Sequence, residues 1–82
     1  MVIFVDPDTG PRPAEATLQS VFRLTDAEAR LAAQLATGES LETVAGRLGI
    51  AKETSRSQLK SIFAKTGTHR QAELVALLAG VL

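Results

Sequence analysis

Apolar positions recur at helical spacing along most of this chain, and the runs open and close on residues suited to helix ends. Pro13 is placed as a first-turn proline, and Leu18, Val21 and Phe22, at i, i+3 and i+4, give the helix it starts one apolar face. Thr25 then reads as an N-cap. Glu28, three residues on, completes a capping box, and Leu24 can staple onto the first turn. That second helix is predicted to run to about Thr37, burying Leu31, Ala32, Leu35 and Ala36, with Gly38 closing it in the left-handed conformation. Ser40 caps the next helix, whose apolar positions are Leu41, Val44, Ala45 and Leu48, and Gly49 ends it. A further helix is predicted over 52–65, with Gly67 after it, and Thr68 is read as the cap of a last helix reaching about Ala79. Loops of a few residues between them predict an all-α fold, a four-helix bundle preceded by a short extra helix.

The beginning of the chain has a different pattern. Met1 to Val5 is a short apolar run, ended by Asp6-Pro7-Asp8-Thr9-Gly10-Pro11, a segment dense in turn formers. A strand that short needs a neighbour for its backbone groups. Residues 1–12 are therefore read as a linker or as the remnant strand of an upstream domain, and 13–82 as the helical domain. The Asp6-x-Asp8-x-Gly10 spacing resembles part of a calcium loop but lacks the remaining ligands and the distal Glu, so no metal site is expected.

The helix over 52–65 separates into two faces when its residues are placed at about 100° intervals. Ser55, Leu59, Ile62, Phe63 and Thr66 cluster on one side and supply the core contact. Glu53, Arg56, Ser57 and Lys60 fall on another. Arg56 and Lys60 are four residues apart, so both project from the same side. An Arg there can bond O6 and N7 of guanine with two donors, a Lys can reach a base edge or a phosphate, and Ser57 is short enough to let the helix approach a groove floor. The tight Leu48-Gly49-Ile50 turn would fix the preceding helix against it, a helix pair suited to the major groove of DNA.

Charge sharpens this picture. The net charge is zero, yet residues 51–70 hold five basic side chains (Lys52, Arg56, Lys60, Lys65, Arg70) against one acid, Glu53. A basic segment on a neutral chain is the footprint of a small DNA-contacting face, with a solvated helix face as the plain alternative. Lys52 and Lys65 are read either as phosphate contacts or as solvated lysines. Arg70 is read mainly as an anchor to a nearby carboxylate or carbonyl. With no Cys and one His, His69, thiolate chemistry is absent and a structural zinc site is not expected. No cofactor is implied. The apolar stretch from Leu74 to Leu82 is far shorter than a membrane span, and the N-terminus lacks the pattern of a secretory leader, so a cytoplasmic protein is expected. Ser57-Gln58-Leu59-Lys60 has the Ser-x-x-Lys spacing of a nucleophile and its base, but without companion motifs it predicts no enzyme.

Leu24-Thr25-x-x-Glu28, then Ala36-x-Gly38-x-Ser40-x-x-x-Val44-Ala45-x-x-Leu48-x-Ile50-x-x-x-Thr54, then Leu59-x-x-Ile62-x-x-Lys65-x-Gly67, resembles the LuxR-type (GerE-like) helix-turn-helix domain over residues 24–78. The resemblance implies a four-helix DNA-binding domain at the C-terminus of a bacterial transcriptional regulator, dimeric on double-stranded DNA, with a sensory domain upstream and RNA polymerase as a further partner. Carried over by position, it implies base contacts from Arg56, Ser57 and Lys60 and phosphate contacts from Thr54 and Lys65. The last helix would carry the dimer contact, through Ala72, Val75, Ala76 and Ala79. That helix is apolar around most of its circumference and needs two surfaces, the second being a partner helix or residues 13–22 folded back over it.

The chain departs from the family pattern at Thr43, Ala51, Ser55 and Gln58. Ala51 stands where a capping Ser or Thr is usual, a loss of about 1 kcal/mol. Ser55 replaces a branched apolar residue, and both changes are expected to loosen the helix over 52–65. Two rivals remain open: a promoter-recognition module resembling region 4 of a sigma factor, and a protein-interaction module without DNA binding.

Overall fold

The computed structural model describes residues 13–82, and every regular element among them is an α-helix. In chain order these are α1 (Pro13–Phe22), α2 (Asp26–Leu35), α3 (Leu41–Leu48), α4 (Lys52–Thr66) and α5 (Gln71–Val81). The strand or linker expected over 1–12, with its Asp6–Gly10 spacing, lies outside the described residues.

α2 sits at the centre because its sequence buries more than one face. Ala29, Leu31, Ala32 and Leu35 are all fully buried, and α2 packs against α1, α3 and α4. Its start is the capping box expected from the sequence: Glu28 N–H donates to Thr25 Oγ1 at 3.1 Å, and Thr25 N–H donates to Glu28 Oε1 at 2.9 Å. Leu18, Leu24, Val44, Ile62, Leu74 and Leu78 close the core around it. No buried side-chain nitrogen or oxygen among the described residues lacks a hydrogen-bond partner.

Two expectations need correction. Val21 is 55 % exposed rather than part of the inner face of α1. α1 has one principal neighbour, α2, so it buries a narrow stripe through Leu18 with Phe22 packed beside it. Thr68 does not cap the last helix. Its N–H bonds Phe63 O at 3.1 Å across Gly67, which has φ 73°, so it completes the end of α4 instead. α5 consequently begins at Gln71, after Arg70 in extended backbone with no side-chain cap, and continues to Val81. Among the described residues no helix is long and apolar enough to cross a membrane.

Candidate nucleic-acid interface

α3 and α4 are joined by Gly49, Ile50 and Ala51. Gly49 adopts φ 70°, ψ 30°, and Ile50 N–H returns to Ala45 O at 3.0 Å, so the last carbonyls of α3 are bonded within the turn. Nothing lies within 4 Å of where a Gly49 Cβ would stand. The requirement for glycine is thus one of backbone conformation, not of space. At the other end of α3, Ser40 Oγ accepts the Thr43 N–H at 3.1 Å. α4 starts on Ala51 without a side-chain cap.

The two faces expected of α4 are present. Ile62 is fully buried, with Leu59 and Phe63 packed against the core. Lys52, Glu53, Thr54, Arg56, Ser57 and Lys60 are exposed. Ser55 is fully buried, and its hydroxyl donates to Lys52 O at 2.7 Å, so the polar atom on the core face is satisfied within its own turn. Lys52 Nζ lies 3.6 Å from Glu42 Oε1, and both side chains are well exposed, a pair worth little and readily given up.

Lys65, read as a phosphate contact or a solvated lysine, is exposed and also has a protein partner. Its Nζ lies 2.6 Å from Glu28 Oε1, and Ser61 Oγ donates to Glu28 Oε2. Glu28 is only 7 % exposed. Burial pushes its carboxyl up, but hydrogen bonds from Lys65, Ser61 and the Thr25 amide, with the Lys65 charge, outweigh burial and hold it at about 2. The Thr25–Glu28 spacing marks Glu28 as a cap but not its partners on α4, because a capping box is a local signal and a contact 37 residues distant is not.

A second brace holds the corner between α2 and α3. Arg47 donates to Gln34 Oε1 at 2.6 Å and to both carboxylate oxygens of Glu39, while Gln71 Nε2 reaches Glu39 O at 3.0 Å. The Arg47 guanidinium lowers the Glu39 carboxyl, and that carboxylate in turn raises Arg47. Arg70, expected to be an anchor, is exposed, and its side chain makes no hydrogen bond or ion pair among the described residues. The extended backbone at the start of α5 leaves its side chain in solvent.

α5 turns Leu74 and Leu78 into the core and leaves Ala72, Ala76 and Ala79 exposed and Val75 half-buried. α1 does not cover that side. Near the chain end, its Ala14 and Thr17 line a groove with Val81 and Leu82. Ala72, Val75 and Ala76 instead line a shallow apolar groove with Gly38 and Gln71. Comparison with protein-family models, with curated proteins and with solved structures finds no match.

Proposed function

We propose that this chain is the sequence-specific DNA-binding domain of a bacterial transcriptional regulator of the LuxR type, acting in the cytoplasm without enzymatic activity. α4 lies in the major groove and α3 crosses the backbone. The observation that carries this reading is the outer face of α4. Arg56, Ser57 and Lys60 are exposed there, and neither cation is engaged by a protein carboxylate among the described residues. Arg56 reads guanine, Lys60 a base edge or phosphate, and Ser57 permits close approach. Lys52 and Thr54 hold phosphates, Lys52 by exchanging its exposed partner Glu42 for the DNA backbone. The apolar groove on α5 suits a second copy of the chain, which would present a second α4 to a two-fold site. A sensory domain upstream and RNA polymerase are the further partners this reading implies.

Fluorescence anisotropy with labelled duplexes, titrated with salt, tests the reading. Binding to random-sequence DNA at low salt is expected, weakening steeply as salt rises. Arg56→Ala should lose about 1–3 kcal/mol on the preferred site and much less on random DNA. An equal loss on both would make Arg56 a phosphate contact. No binding by the unaltered protein at any salt concentration would leave the second reading, a protein-interaction module, which its zero net charge favours. Failure of the protein to self-associate at micromolar concentration would favour a sigma-region-4-like module.

A further inference from the structure

We propose that Glu28 is a positioning residue for the reading face: its carboxylate sets the rotation and axial register at which α4 presents Arg56, Ser57 and Lys60. The proposal rests on the DNA-binding reading above. Ser61 and Lys65 make the only hydrogen bonds between an α4 side chain and another helix among the described residues, and both end on Glu28. The two donors are four residues apart on one side of α4, and they take different oxygens of one carboxylate. Apolar contacts through Leu59, Ile62 and Phe63 tolerate small slides and rotations. Two directional bonds from successive turns do not. The carboxylate is itself immobilised, because its Oε1 also accepts the Thr25 N–H in the capping box of α2.

The first half of α4 has no comparable tie. Ala51 supplies no cap, and the Ser55 hydroxyl bonds only within its own turn. Arg56 and Ser57 stand on that half, so their direction is inherited from the clamp further along the helix. A rotation of about 20° moves a group on a radius of about 5 Å by roughly 2 Å, enough to spoil a two-donor contact to a base. Lys65 thus serves recognition through Glu28 and not by touching phosphate.

Glu28→Gln keeps a residue competent for the capping box while removing the charge that Lys65 meets. Lys65→Met removes the other end and leaves the cap intact. Both variants and the unaltered protein are titrated with a selected site and a random duplex, well below their unfolding midpoints. The ratio of the two affinities should fall about tenfold in each variant, the worth of one well-made base contact, and Lys65→Arg should restore most of it. The salt dependence on random DNA should be unchanged. A ratio unaltered in both variants, with only the unfolding midpoint lowered, overturns the proposal. So does a Lys65→Met protein whose salt slope drops by about one with the ratio intact, which would mark a phosphate contact. Residual dipolar couplings without DNA give the α2–α4 orientation independently. It should change in the variants, and an unchanged orientation overturns the proposal even if the unaltered protein binds no DNA, a result that would separately sink the functional reading. Should Glu28→Gln fail to fold, Lys65→Met and Ser61→Ala carry the same measurements.

Discussion

Glu28 keeps its charge inside the bundle because three donors meet it, from the Thr25 backbone, Ser61 and Lys65. That arrangement has a pH signature. Its carboxyl lies at about 2 when folded against an ordinary 4.5, so the folded protein binds this proton less readily than the unfolded chain. The stabilisation is fully present above 4.5 and is lost as pH falls towards 2. With the Lys65 side chain 35 % exposed, solvent screening trims the amount to about 2 kcal/mol. Chemical denaturation at neutral pH and at stepwise lower pH should show the unaltered protein losing about that much more stability than Glu28→Gln. Glu39, also held low by Arg47, is common to both proteins and cancels in the difference. Parallel losses in the two proteins would mean that Glu28 is not held ionised. The sequence showed the Thr25–Glu28 half of this network because three-residue spacing is a local pattern. Ser61 and Lys65 carry no such mark, since an exposed-looking Ser and Lys are common on any helix.

The turn between α3 and α4 sets the geometry of the reading pair at the level of elements. Two glycines in and beside it should respond in opposite directions. Gly49 has a positive φ with open space around it, so Gly49→Ala should cost about 1–2 kcal/mol through backbone strain alone. Gly46 lies within α3, exposed and equally uncrowded, so Gly46→Ala should gain about 0.5–1 kcal/mol. Urea denaturation of the two variants checks both signs, and equal effects would mean the turn is not held left-handed. Gly49 was legible because few other residues end a helix this way cheaply. The start of α5 was not. Thr68 fits equally well as the cap of a new helix or as the residue closing the old one, and the bond from its N–H to Phe63 O decides for the second. Nor was the partner of the buried Ser55 hydroxyl legible: it donates to Lys52 O and leaves no buried polar atom unpaired among the described residues.

For the whole molecule, self-association turns on the exposed side of α5. Ala76 is exposed in the apolar groove and far from the buried Leu74 and Leu78 side of the helix in role, so Ala76→Glu should leave the unfolding midpoint nearly unchanged. If a second copy seats there, sedimentation equilibrium should show the unaltered protein associating and Ala76→Glu remaining monomeric, with weaker binding to a two-fold site. Association undiminished by the substitution would place the contact elsewhere. The chain's local signals alone determined that it is all helical from Pro13 onward, where most helices begin and end, and which face of α4 is apolar. Those properties follow from spacing, caps and glycine, which act over a few residues. Only the tertiary structure decided that Val21 is exposed, that Lys65 is drawn to Glu28, and that α1 leaves the outer side of α5 uncovered. Each of these depends on which elements lie side by side, and a residue's own neighbours in the chain hold no record of that.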